Sequence, residues 1–287
     1  MVRPIKSTRG AASVAEKLEE RLKQGDYYGA LQMYKTLYSR YAAAGDHLRA
    51  IDLAHNSAVQ LAKHQQWTAA REMGCLMLDL YASNAFAVDE TNKARIKDIS
   101  NAFQNACPKE ESEVLKQAVK WSKTHGTRER GDPELQLWLS RVYTVEKDFT
   151  NANNHFLHAE SPSEFTAMLL QHALEGYPSE ADLYVARAVL QLAALENLRD
   201  ANVVLTEFLA KKPLDTPLIN FVKFLLRTLE KRDALPLFQL LQERYAYALS
   251  RDPSFRTFLQ IIGQKYYGVQ PPQSALSSLM SLFGGGM

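Results

Sequence analysis

Apolar positions along this chain recur with the period of helices. Val14, Leu18 and Leu22 fall four residues apart and make one stripe. Leu31, Tyr34, Tyr38 and Tyr41 follow a 3-4-3 spacing. The design continues through Leu115, Val119 and Ser122, then Leu135, Trp138, Leu139 and Val142. Val185, Val189, Leu192 and Leu195 extend it, as do Val203, Val204, Phe208 and Leu209. No sustained two-residue alternation rich in Val, Ile and Thr interrupts the pattern, so strands are at most minor.

These helices are spaced by an internal period. Gly25-Asp26-Tyr27 precedes Ala30, Gly45-Asp46-His47 precedes Ala50, and Gln66-Trp67 precedes Ala69 and Ala70. Each step of about 20 residues holds one helix of roughly four turns plus a turn, so two steps make a hairpin of about 40 residues. Gly25 and Gly45 suit the left-handed position that ends a helix. The small residues after each turn let the next helix approach closely. Lys147-Asp148-Phe149, followed by Ala152, Phe156 and Ala159, reads as the second helix of a degenerate tetratricopeptide hairpin. Prolines such as Pro108, Pro133, Pro162 and Pro178 stand at turns or first helical positions. Pro213 and Pro217 exclude a regular helix from residues 211–220, which reads as a loop or a short irregular hairpin. The expected fold is all-α: a right-handed α-solenoid of stacked, tetratricopeptide-like hairpins. Its inner boundary near residues 145–160 gives one half over 1–150 and another over 151–287.

Composition narrows the function. With 46% apolar and 23% charged residues, the chain is too apolar for disorder. A formal net charge of +2 gives no global field for nucleic acid or an anionic membrane. Charge is uneven, because residues 1–75 carry 11 Lys and Arg against 7 Asp and Glu. Cys75 and Cys107 are the two cysteines of 287 residues, which fits a reducing compartment. With no apolar leader at Met1-Val2-Arg3-Pro4 and no 18-residue apolar run, the reading is a cytosolic chain that does not insert into a membrane.

Reactive chemistry finds little support. No phosphate loop or Gly-x-Ser-x-Gly elbow is present, and Gly284 to Gly286 lead into no helix. His155 and His158, three apart with Glu160 nearby, lack the further ligands that zinc needs. No cofactor and no catalytic residue is expected, so the chain reads as a binding protein. Lys17 and Arg21 stand one turn apart beside the first apolar stripe. They read either as a compact site for an acidic partner or as cations paired with neighbouring glutamates. Tyr27, Tyr28, Tyr34, Tyr38, Tyr41 and Trp67 read as helix-seam residues in preference to a peptide groove. From residue 266 to 287 no charge occurs, and Leu276, Leu279, Met280 and Phe283 share one helical face. That tail reads as a terminal cap or as an apolar anchor.

Several of these segments together resemble a known family. Residues 18–81 with Gly25-Asp26-Tyr27-Tyr28 and Arg40-Tyr41, then Gly131-Asp132-Pro133, and the ending Leu279-Met280-Ser281-Leu282-Phe283-Gly284-Gly285 are similar to the Golgi-to-ER-traffic protein four family. The resemblance implies a non-catalytic adaptor of tail-anchored-protein targeting. It implies an N-terminal half that docks a dimeric targeting ATPase and favours its ATP-bound form. It also implies a C-terminal half that holds the N-terminal segment of a ubiquitin-like-domain protein, in a 2:2 heterotetramer that recruits a chaperone. On this sequence the basic docking surface falls at Lys17, Arg21 and Lys23, extended by Arg40 and Arg49. The acidic residue that influences ATP hydrolysis falls at Asp79, before Leu80-Tyr81. Candidate contacts for the ubiquitin-like partner are Phe208, Phe221, Phe224, Leu225 and Phe238, which are equally good core residues. Residues 211–220 are shorter than the family's β-hairpin clasp. The alternative is a tetratricopeptide-like scaffold subunit of another trafficking or proteasome-type complex.

Overall fold

The computed structural model describes residues 8–231 and 233–270, apart from the side chains of residues 8–15. Among these residues fifteen α-helices and one 3-10 turn follow one another with no strand, and the all-α solenoid reading holds. The uncharged tail from residue 271, with Leu276, Leu279, Met280 and Phe283, lies outside the described residues. The chain packs as two units, 1–146 and 147–287.

The first unit contains α1 (Thr8–Lys23), α2 (Tyr27–Ala43), α3 (His47–Lys63) and α4 (Trp67–Ser83), followed by α5 (Glu90–Phe103), α6 (Pro108–His125) and α7 (Pro133–Val145). Its first three corners share one construction. Gly25, Gly45 and Gln65 take left-handed φ values of 75°, 74° and 60°. The next residue then donates its amide back across the turn, Asp26 to the Arg21 carbonyl, Asp46 to Tyr41 and Gln66 to Leu61, each at 2.9 Å. This closes the outgoing helix. The same residue opens the next one. The Asp26 carboxylate accepts from the Gly29 amide at 2.9 Å, and the Asp46 carboxylate from the Arg49 amide at 3.4 Å. Gln66 makes no such side-chain cap, so the third corner keeps the backbone closure and loses the carboxylate.

After each corner a small residue, Ala30, Ala50 or Ala70, is fully buried. On α3 the seam is almost all alanine: Ala50, Ala54, Ala58 and Ala62 are buried with Ile51 and Leu61. Side chains this small bring α3 close against α4. Helices also pack against their second neighbours, α3 on α5 and α4 on α6, as in stacked hairpins. The 40-residue period reappears in the side-chain ties. Lys35 pairs with Glu72 at 2.5 Å, the Tyr38 hydroxyl donates to the Leu76 carbonyl at 2.7 Å, and Arg71 pairs with Glu110 at 2.5 Å. Arg95 reaches Asp52 at 2.9 Å, and Lys93 reaches Glu134 at 3.0 Å. Each tie joins residues 37 to 43 apart. Burying one Leu or Ile contributes about 1.5–3 kcal/mol, whereas a half-exposed ion pair contributes about 1 kcal/mol or less. The seam therefore holds the stack, and the ties set its register.

The second unit contains α8 (Phe149–Phe156), α9 (Pro162–Glu175), α10 (Ala181–Ala194), α11 (Leu198–Lys211), α12 (Pro217–Leu229), α13 (Leu235–Arg244), α14 (Ala246–Leu249) and α15 (Ser254–Tyr267). At its centre is α10, packed by α9, α11, α12 and α15. Eleven of its fourteen residues are buried, the pattern of a helix covered on all sides. The stretch 211–220, expected as a loop or irregular hairpin without regular helix, is corrected by the structure. It forms a connector at 212–216 and then the first turn of α12. Pro217 sits at the first helical position, where its missing amide costs nothing, and the Thr216 hydroxyl accepts from the Ile219 amide at 3.3 Å.

Two crossed charge pairs pin the turn that precedes α15 to α10. From α10, Asp182 takes both Nη atoms of Arg251 at 2.7 and 3.0 Å, while Arg187 donates to Asp252 at 2.6 and 3.0 Å. Asp182 is 3% exposed and also accepts from the Thr216 hydroxyl at 2.9 Å, which ties in α12. Burial alone would raise the Asp252 carboxyl, but hydrogen bonds from Ser254 and Arg187 outweigh it and hold its pKa below the ordinary aspartate value. A carboxyl depressed by folding contributes stability above its unfolded pKa and loses it as pH falls through the folded value. The Arg187–Asp252 pair therefore weakens below about pH 4. Arg251→Ala leaves the buried Asp182 without its cation and is expected to cost about 2–3 kcal/mol, the low end for a broken buried pair because Arg251 is itself a third exposed. Urea unfolding followed by circular dichroism measures this, and an unchanged midpoint would contradict it.

Candidate functional site

The face of α2 turned away from its buried stripe carries a second pattern. Leu31, Tyr34 and Tyr38 point inward, and Met33, Thr36, Leu37 and Arg40 occupy the opposite side. With Arg21 of α1 and Gly29 they line an open groove of about 390 Å³. A neighbouring hollow, lined by Lys35, Ser39 and Ala43, shares Thr36 and Arg40 with it. Two cations, Arg21 and Arg40, thus flank a floor that is apolar at Met33 and Leu37 and hydroxylic at Thr36, with Lys35 in the neighbouring hollow.

Their partners differ. Arg21 is ion-paired with Asp26, the capping residue of α2, and both side chains are nearly half exposed. The guanidinium uses room left by Gly29, where a Cβ would lie 2.0 Å from Nη1 of Arg21. Lys35 is engaged with Glu72. Arg40 is exposed and has no acidic partner among the described residues. Lys17, also exposed, precedes Arg21 by one helical turn on the same face and likewise lacks an acid. The structure thus brings Arg21 and Arg40 into one groove, with Lys17 at its approach. Lys23, paired with Glu19 at 2.8 Å, and Arg49, paired with Asp46 at 3.3 Å, stand outside its lining.

Asp79 is exposed on α4. The amide of Gln117 on α6 donates to its carboxylate and, at 3.3 Å, to the Cys75 carbonyl. Asp79 faces the Tyr38 hydroxyl, whose pKa is raised chiefly by burial and further by this carboxylate. Close by, burial pushes the Cys75 thiol up to about 11, so it is protonated and a poor nucleophile. Among the described residues no three His, Cys, Asp or Glu side chains converge as a metal site requires.

In the second unit the five apolar candidates separate. Phe208, Phe221 and Leu225 are fully buried and Phe238 nearly so. Phe221 packs on Tyr245 with ring centres 5.6 Å apart, and Phe238 on Tyr267 at 5.3 Å. These four are core residues of this unit, and helix packing accounts for them. Phe224 is 46% exposed. Leu237 and Leu240 of α13 are exposed to a similar degree.

Reading the sequence missed Lys35, Asp26 and the Met33–Leu37 floor. The floor had a signal, since two apolar residues four apart recur on α2 off the buried stripe. The Arg21–Asp26 pair had none, because it spans a corner and no helical spacing predicts it.

The family model for Golgi to ER traffic protein 4 matches residues 44–285. The Golgi to ER traffic protein 4 homolog of Dictyostelium discoideum is 34% identical over 285 residues, covering 96% of this chain and 91% of that protein. The Homo sapiens homolog is 32% identical over 277 residues, covering 93% and 83%. Among solved structures, the crystal structure of C. therm. Get4 matches with a TM-score of 0.82 at 26% identity, covering 96% of each chain.

Proposed function

Because the chain belongs to the Golgi to ER traffic protein 4 family, we propose that it is a non-catalytic cytosolic adaptor that hands tail-anchored clients to a targeting ATPase for insertion at the endoplasmic reticulum. The groove on α1 and α2 is the observation that carries this reading. It pairs unneutralised charge at Lys17 and Arg40 with an apolar floor, which suits an amphipathic acidic surface on a partner. The partner at this groove is the dimeric targeting ATPase. Charge brings the two together and sets orientation, and Met33 and Leu37 add contact area once water is excluded. Lys23 and Arg49, each already paired on its own helix, extend the field without contacting the partner closely.

Asp79 acts on nucleotide turnover rather than on docking. Its exposure leaves the carboxylate open to a partner residue, and the single amide of Gln117 holds it in place. The second unit holds the N-terminal segment of a ubiquitin-like-domain protein, with Phe224 as the apolar contact on α12 and Leu237 and Leu240 as candidates on α13. The chaperone and its client arrive through that protein, in a 2:2 heterotetramer. The adaptor's contribution is effective concentration, since client and ATPase are held on one scaffold.

Three measurements test this reading. Arg21→Glu with Arg40→Glu should weaken binding to the ATPase at least tenfold at low salt and flatten the salt dependence of what remains. Calorimetric titration giving wild-type affinity would remove the groove from the interface. Asp79→Lys should leave affinity within about twofold while ATP turnover in the complex rises severalfold, and equal turnover would end its regulatory role. Phe224→Asp should reduce capture of the ubiquitin-like protein by tenfold or more and spare the ATPase, read by paired pull-downs. Undiminished capture would move that contact elsewhere.

A further inference from the structure

We propose that Asp26 is an internal competitor for the docking cation: it holds Arg21 across Gly29, and a carboxylate of the docked partner takes its place. The inference rests on the docking reading above and concerns how strongly the groove binds.

The geometry separates a fixed group from a movable one. One oxygen of Asp26 accepts from the Gly29 amide at 2.9 Å, so this carboxylate is committed to the start of α2 and stays where it is. The other oxygen takes Arg21. Arg21 ends a long flexible chain that is nearly half exposed, so it can turn away from Asp26 without disturbing the helix. Pairs this exposed hold weakly. Gly29 is what lets the pair close, because a Cβ there would lie 2.0 Å from Nη1 of Arg21 and 2.2 Å from Oδ2 of Asp26.

Arg40 lines the same groove with no acid of its own among the described residues, so there the groove offers one cation unengaged by an acid and one masked by Asp26. A partner carboxylate entering between Arg21 and Arg40 finds half of its attraction already spent on Asp26. It also meets the like charge of Asp26, which does not leave. Asp26 thereby lowers affinity and makes binding depend on an acidic side chain able to draw Arg21 off the corner. If Asp26 instead served to orient Arg21 toward the partner, its removal would weaken binding, so the sign of the effect decides between the two.

The test is Asp26→Asn in the full chain, titrated against the dimeric targeting ATPase at low and moderate salt. Asparagine caps a helix as well as aspartate, so α2 is retained and only the carboxylate charge is lost. Binding should tighten about two- to tenfold, with a steeper dependence on salt because Arg21 now contributes its full charge. Affinity that is unchanged or weaker overturns the inference. Should this variant fail to fold by circular dichroism, Asp26→Ser decides. Serine caps a helix about as well as asparagine and carries no charge, so the same gain is expected or the inference fails. Wild type and Arg21→Glu belong in the same series. If wild type does not bind, or Arg21→Glu binds as well as wild type, the docking reading fails and the competitor role falls with it. If wild type binds and Arg21→Glu loses affinity, a null result for Asp26→Asn overturns the competitor role alone.

Discussion

The packing of the first four helices follows from a corner that ends one helix and starts the next within a few residues. A left-handed residue turns the chain, its successor closes the outgoing helix through the backbone, and the side chain of that successor caps the incoming helix. So short a connection leaves consecutive helices antiparallel and close. Close approach then requires small side chains at the contact, which Ala30, Ala50 and Ala70 supply. Glu196-Asn197 in the second unit repeats the construction, with Glu196 at φ 63° and the Asn197 side chain accepting from the Asp200 amide. Two helices of this length with their connections give the roughly 40-residue separation of the side-chain ties.

The corner also explains why the candidate site is where it is. Asp26 must be acidic or polar to cap α2, and its second oxygen is then available to the nearest cation. Arg21 occupies the last turn of α1 and is that cation. Capping and the proposed docking therefore share one carboxylate. A net charge of +2 over the chain conceals this arrangement, since many cations of the first unit, Lys23, Lys35, Arg49, Arg71, Lys93 and Arg95 among them, are paired with acids at 3.5 Å or less. In the proposed docking, specificity for an acidic partner comes from the cations of the α1–α2 face that have no acid among the described residues, Lys17 and Arg40, and from the weakly held Arg21.

Much of the fold was legible before the structure. Gly25 and Gly45 marked corners because only glycine enters the left-handed region without strain, and the alanines marked the seams. Gln65, Lys147 and Glu196 adopt the same φ without being glycine, so composition alone does not locate every corner. Pro213 and Pro217 suggested an absence of helix over 211–220, whereas a proline at the first helical position starts one. The site was half legible. Lys17, Arg21 and Arg40 stood out as cations, but whether each is paired depends on residues that meet across a corner or on the next hairpin. Phe208, Phe221, Leu225 and Phe238 could not be told from contact residues by type, because a core ring and an interface ring are the same chemistry. Burial divides them from Phe224.

The central claim is that acidic recognition takes place on the α1–α2 face. Hydrogen–deuterium exchange of the full chain with and without the targeting ATPase tests it most directly. Protection should concentrate in peptides spanning residues 17–43, with those spanning 198–267 unchanged. Protection confined to 198–267, with 17–43 exchanging as in the free protein, would contradict it.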